Sequence, residues 1–162
     1  MQDVVEGWNL GRSFGYLTKQ YIGRLTAKLE GVPVQRYYYP LYLIGKSSGK
    51  ICQQQLADQL LMDKVSIVRI LNALTEDGYI ERKVNPKDRR EHLLHITKKG
   101  KPWIKAIEKA LKETDHEFLH FLPERSRSGF RKNLILLIEA SKDFDVENVE
   151  LFYNRTKEII NE

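Results

Sequence analysis

Cysteine is almost missing. Cys52 is the only one in 162 residues, which excludes an internal disulfide and suits a reducing compartment, the cytoplasm. Long apolar runs are missing too. No stretch approaches the roughly 20 residues that span a bilayer, and the opening MQDVVEGWNLGRS has no apolar core of signal-peptide length. No internal repeat, low-complexity tract, glycine-rich phosphate loop or nucleophile elbow is present. Nothing therefore supports an enzyme, and no cofactor is expected. Histidine is scarce, and none precedes His92. Glu113, His116 and His120 have a helical spacing that can hold zinc. They lie opposite the apolar stripe of Ile104, Leu111 and Phe118, so a solvated face is the better reading and no metal is expected.

What remains is a soluble globular composition, with 30% charged and 41% hydrophobic residues. The length suits a single domain, residues 1–162. The net charge is +5 and the pI about 9.2. That excess is modest, but its placement is uneven, and placement is what marks a nucleic-acid surface.

Leu10, Phe14, Leu17, Tyr21, Leu25 and Leu29 recur at three- and four-residue steps, which predicts a long helix over about 8–30 with one apolar face. Gly31-Val-Pro33 ends it. Val34 to Ile44 reads as a short buried helix that Pro40 should kink or split. After the Gly45–Gly49 turn, Ile51 can form a short strand. Residues 53–61 read as a helix with Leu56, Leu60 and Leu61 inward and Cys52 near its N-cap.

Asp63 is a good N-cap for a helix from Lys64 to Asp77. Its core stripe is Ile67, Ile70, Leu71 and Leu74, and Gly78 is a left-handed stop. Tyr79 to Val84 alternates, Asn85-Pro-Lys-Asp88 is a turn, and Glu91 to Ile96 returns. This makes a hairpin whose basic residues are Arg82, Lys83, Lys87, Arg89 and Arg90. Thr97 can cap a long helix over about 98–121, with Lys98, Lys99 and Lys101 crowded against its dipole. Pro123 opens a further helix to about Lys142, and Asp145 can cap a last one carrying Val149, Phe152, Tyr153, Ile159 and Ile160.

Two short helices followed by a strand pair are a winged helix-turn-helix. The fold class is therefore mainly α with a small β-hairpin wing, flanked by long N- and C-terminal helices. A helix with a fully apolar core face presents its outer face rigidly, and the major groove of B-DNA accepts such a helix by its first turns. Those turns carry Lys64, Val65, Ser66, Val68 and Arg69. Arg69 suits a guanine, Ser66 a base or phosphate, and the two valines a thymine methyl. The wing turn offers Lys87, Asp88, Arg89 and Arg90, and an arginine there can enter a minor groove.

The stretch LADQLLMDKVSIVRILNALTEDGYIERKVNPKDRREHLLHITKKG resembles the MarR family of bacterial transcription regulators. Asp88 and Arg90 match its D-x-R wing signature. Ile96, Thr97 and Gly100 match its L-T-x-x-G with isoleucine for leucine, and Leu74, Gly78 and Ile80 fit the join between helix and wing. The resemblance implies a cytoplasmic homodimer held by the first and last helices, a DNA-binding lobe over 34–100, and dimerisation helices over 1–33 and 101–162. It implies repression at a near-palindromic operator of double-stranded DNA, with Asp88 bracing Arg90. It also implies release by a small aromatic or phenolic effector in a region that here includes Trp8, Arg12, Tyr16, Tyr37 and Tyr38. Two rival readings stand beside it. One is a winged-helix protein–protein module without an operator, and the other a redox-responsive regulator using Cys52.

Overall fold

A computed structural model of the chain describes residues 6–34 and 37–142. Among these, six helices and one two-stranded sheet form two compact units, one ending at Pro123 and one beginning at Glu124. The helices are α1 (Leu10–Lys28), α2 (Tyr38–Lys46), α3 (Gln53–Leu60), α4 (Lys64–Glu76), α5 (Lys101–His120) and α6 (Glu124–Ser141), and the strands are β1 (Ile80–Val84) and β2 (His92–Ile96). The architecture is the winged helix-turn-helix expected from the sequence. The helix expected after Asp145 lies outside the described residues.

α1 starts where Asn9 Oδ1 accepts the Arg12 backbone N–H at 2.9 Å. Its stripe is covered only at one end within the first unit. Leu25 and Leu29 are buried, Tyr21 half-buried, and Leu10, Phe14 and Leu17 exposed. α1 is held against α5 by a hydrogen bond from the Tyr21 hydroxyl to Asp115 Oδ1 at 2.7 Å and by Lys28 Nζ on Glu117 Oε1 at 2.7 Å.

α2 corrects one expectation. It begins at Tyr38, so Pro40 stands in its first turn and is buried there without dividing the helix. A first-turn residue has no intrahelical acceptor for its N–H, so the missing proline donor costs nothing. Leu41 and Ile44 from α2, Leu56 from α3, Ile67, Leu71 and Leu74 from α4, Ile80 and Leu94 from the wing and Ile107 from α5 form one core. Leu61 is a second correction. It is not inward but 81% exposed, because it caps α3 in the left-handed conformation with φ +50°.

α5 begins at Lys101, not Lys98. Thr97 still prepares the start. Its Oγ1 accepts the Gly100 N–H at 3.2 Å and its carbonyl accepts the Lys101 N–H at 3.1 Å. Among the described residues of the second unit, α6 carries Phe130, Leu134, Ile135, Leu136, Leu137 and Ile138, all exposed.

Candidate nucleic-acid interface

α4 is fixed at both ends and along one face. Asp63 Oδ1 accepts the backbone N–H groups of Val65 and Ser66, each at 2.8 Å. Hydrogen bonds from Ser66 hold the Asp63 carboxyl below the usual carboxylate range, as expected of an N-cap at the positive end of a helix. Ile67, Leu71 and Leu74 are fully buried and Ile70 partly so. At the far end Gly78 takes φ +72°, and the Tyr79 N–H closes onto the Leu74 carbonyl at 2.9 Å. With its inner face and both ends tied, the outer face of α4 has a fixed orientation. On it lie Lys64, Val65, Val68, Arg69 and Asn72, all exposed, with Ser66 half-buried at their edge.

The wing stands beside that face. β1 and β2 pair antiparallel in the register Ile80↔Ile96, Arg82↔Leu94 and Val84↔His92. Cys52 adds an isolated bridge to Leu93, and the Leu94 N–H donates to the Ile51 carbonyl at 2.9 Å. The short third strand expected at Ile51 is thus this bridge, which sews the wing to the N-terminus of α3. Cys52 itself is buried. Its backbone N–H donates to Gln55 Oε1 at 3.0 Å, the half of a capping box in which the third helical residue satisfies the cap residue's own donor.

The wing turn is built by two side chains that fold back on their own backbone. Asn85 Oδ1 accepts the Lys87 N–H at 3.0 Å, and Asp88 Oδ1 accepts the Arg90 N–H at 3.0 Å. Asp88 also takes the Arg90 guanidinium in a two-point grip, with Nε on Oδ1 at 3.2 Å and Nη2 on Oδ2 at 3.1 Å. The side-chain hydrogen bonds from Arg90, then its backbone one, lower the Asp88 carboxyl below its ordinary value. Arg90 remains 91% exposed in its side chain. It therefore projects from the wing with its direction set and its outer N–H groups available. Lys87 and Arg89 are exposed beside it.

The hairpin bases do not act alike. Lys83 pairs with Glu81 at 2.8 Å, while Arg82 Nη2 donates to Asn72 Oδ1 on α4 at 2.8 Å. That link between wing and α4 has no local sequence signal, since the two residues sit on different elements ten positions apart. Lys99 is a further correction. Its ammonium donates to the Asp77 carbonyl at 2.6 Å and lies 4.6 Å from the Tyr79 ring centroid. It neutralises the negative end of α4, so it does not stand unfavourably at the start of α5.

Of the aromatic residues expected near an effector, the structure brings together two sets. Trp8, Arg12 and Tyr16 cluster at the head of α1, the Arg12 guanidinium 4.5 Å from the Trp8 ring centroid and the Trp8 and Tyr16 rings 5.3 Å apart. Tyr38 instead lines a groove of about 420 Å³ with Tyr21, Tyr39, Tyr42, Glu108, Leu111, Lys112 and Asp115, a lining that does not include Tyr37. Burial, then the Asp115 hydrogen bond, raises the Tyr21 hydroxyl above its ordinary value, and burial raises that of Tyr38. Tyr21 and Asp115 escape sequence reading because 94 positions separate them. Glu113, His116 and His120 are exposed on α5, where the two imidazoles stack. No described helix is long and apolar enough to cross a membrane.

Comparison with known proteins agrees with this geometry. The sequence model of the MarR family matches residues 30–91. A candidate transcriptional regulatory protein for the hcr operon of Thauera aromatica is 33% identical over 121 residues, covering 75% of this chain and 71% of that protein. A crystal structure of MarR superposes with a TM-score of 0.70 at 26% identity, over 84% of this chain and 92% of that one. The fold is also that of Streptococcus pneumoniae FabT in complex with DNA, with a TM-score of 0.67 at 24% identity over 85% and 100% of the two chains.

Proposed function

The chain belongs to the MarR family of transcription regulators, and from that premise we propose that it is a cytoplasmic, dimeric repressor that binds a near-palindromic operator in double-stranded DNA. The observation that carries this reading is the pairing of a fixed α4 outer face with a braced, outward-pointing Arg90. Each copy would lay the first turns of α4 in a major groove, so that Lys64, Val65, Ser66, Val68 and Arg69 meet base edges and nearby phosphates. The two reading helices would then sit about 34–36 Å apart. Arg90 enters the adjoining minor groove, Asp88 aims it, and Lys87 and Arg89 hold the backbone.

In this reading residues 34–100 are the DNA-binding lobe, and the helices over 1–33 and 101–162 pair the two copies. The exposed apolar residues at the head of α1 and along α6 support a second copy as their cover. The groove lined by Tyr21, Tyr38, Tyr39 and Tyr42 has the size and aromatic walls to seat a small aromatic or phenolic effector. Trp8, Arg12, Tyr16 and Tyr37 remain candidates for the same role.

The test is selection from a random duplex library, followed by binding of the enriched duplex to wild type and to Arg90→Ala. An enriched palindrome is expected, with affinity falling steeply as salt rises. Arg90→Ala should bind it about tenfold or more weakly while unfolding at the same temperature. A library that yields no enriched sequence would overturn DNA recognition and favour a protein–protein module. Unchanged binding by the variant would remove Arg90 from the mechanism.

A further inference from the structure

We propose that the outer face of α4 reads the 5-methyl groups of pyrimidines, so that the protein distinguishes thymine from uracil, and 5-methylcytosine from cytosine, at one or two steps of each half-site. This rests on the major-groove placement of α4 proposed above.

Val65 is 70% and Val68 37% exposed on the face that carries Lys64 and Arg69. Val65 stands clear of the buried stripe Ile67, Leu71 and Leu74, and Val68 lies at its edge with over a third of its surface open. Helix propensity does not explain them, because valine is a weaker helix former than the alanine, lysine or arginine that fit a solvated face. In a helix valine has essentially one χ1 rotamer, so its methyl groups are set in place before contact. The Asp63 cap and the buried stripe fix the backbone beneath them. Three residues along a helix advance about 4.5 Å, and base pairs stack about 3.4 Å apart. The two valines therefore address the same or neighbouring base steps.

Of the residues on this face, only the two valines have wholly apolar side chains, since Lys64, Ser66, Arg69 and Asn72 are all polar or charged. Arg69 and Lys64 are donors only and suit guanine or phosphate. Asn72 is the one amide on the face, and it could pair with adenine through its oxygen and nitrogen together. Its Oδ1 is instead held by Arg82 Nη2 at 2.8 Å, so its amide is turned toward the wing. Valine has neither donor nor acceptor. It cannot tell the O4 of thymine from the N4 amino group of cytosine, and what it senses is the methyl at C5.

The experiment uses wild-type protein and the duplex enriched by selection. Each thymine is replaced singly by deoxyuridine, and at the same steps a T·A pair is replaced by C·G with and without cytosine 5-methylation. Loss of one contacted methyl should weaken binding about fourfold, from the transfer energy of one buried carbon. Methylation of cytosine at that step should restore about the same factor. In Val65→Ser and Val68→Ser, which alter exposed positions, the all-thymine duplex should bind about fourfold more weakly, and uracil at the corresponding step should weaken it no further. An enriched duplex bound equally with uracil at every thymine would overturn methyl reading while leaving operator binding intact. A uracil penalty that persists in both serine variants would assign the methyl contact to other residues and overturn the role of the valines. Failure to enrich any duplex would refute the underlying DNA-binding function itself.

Discussion

Replacing Gly100 by alanine should damage this protein well beyond an ordinary glycine substitution, and for a purely steric reason. Gly100 has an ordinary helical backbone, φ −78° and ψ −31°, so no left-handed strain is involved. A Cβ there would stand 2.4 Å from Ile96 Cδ1 and 2.5 Å from the Tyr79 carbonyl oxygen. The isoleucine methyl can turn aside, but the carbonyl is backbone. It must retreat by most of an ångström, and it already accepts the Thr97 N–H at 3.0 Å and the Thr97 hydroxyl at 3.1 Å. Overpacking costs about 1–3 kcal/mol, and weakening those hydrogen bonds adds about 1 kcal/mol. The sum, about 2–4 kcal/mol, corresponds to roughly 5–15 °C in Tm for a chain of this length. Thermal unfolding followed by circular dichroism measures it. Ile96→Val in the Gly100→Ala background should recover part of the loss, because it removes the Cδ1 contact and leaves the carbonyl one. A Tm within about 2 °C of wild type would refute the steric argument, and a full recovery by Ile96→Val would refute the role of the Tyr79 carbonyl.

Two further predictions concern α4. The Asp63 carboxyl is held below its ordinary value in the fold, so its contribution is present above the usual carboxylate range and is lost as pH falls through the depressed value. Asp63→Ala should lower Tm at pH 7, and the gap from wild type should narrow as the pH is taken below the ordinary carboxylate range, in melts followed into acid; a constant gap would mean that the carboxylate is not the cap. Arg82→Gln should leave Tm nearly unchanged but weaken operator binding by about two- to tenfold, the worth of one hydrogen bond. Asn72→Ala should then add little in that background, whereas additive losses in a gel-shift titration would show that the two side chains act separately.

The parts of the fold that were legible in the sequence are those in which a residue's task is decided by its near neighbours. The buried stripe Ile67, Leu71 and Leu74 repeats with the helix period, Asp63 and Gly78 mark the two ends, and Asp88 lies two positions from the Arg90 it grips. Pro40 misleads because the apolar run VQRYYYPLYLI hides where the helix begins, and a proline that breaks a helix interior is harmless in a first turn. Leu61 misleads because the apolar pattern places its side chain inward, while its backbone is committed to ending α3. The stripe of α1 is periodic throughout, yet Leu10, Phe14 and Leu17 are exposed. Periodicity says that a face should be covered without saying by what. The Tyr21–Asp115 and Arg82–Asn72 bonds carry no short-range signal at all.

The motif Ile96-Thr97…Gly100 is best understood as a joint, not as a DNA contact. At one point, just past the C-terminus of α4, the Thr97 hydroxyl donates to the Gly78 carbonyl at 2.7 Å, Lys99 donates to the Asp77 carbonyl, and Gly100 lets the chain pass against Tyr79. A joint of this kind alone would leave the hairpin free to pivot about α4. The Arg82–Asn72 bond supplies a second attachment, nearer the middle of the helix, and the Ile51–Leu94 bond a third from the side of α3. Attachments at three separated places remove the pivot. The outer face of α4 and the base of the wing that carries Arg90 are therefore joined in one frame, so that in the proposed complex seating either would position the other without a further ordering cost.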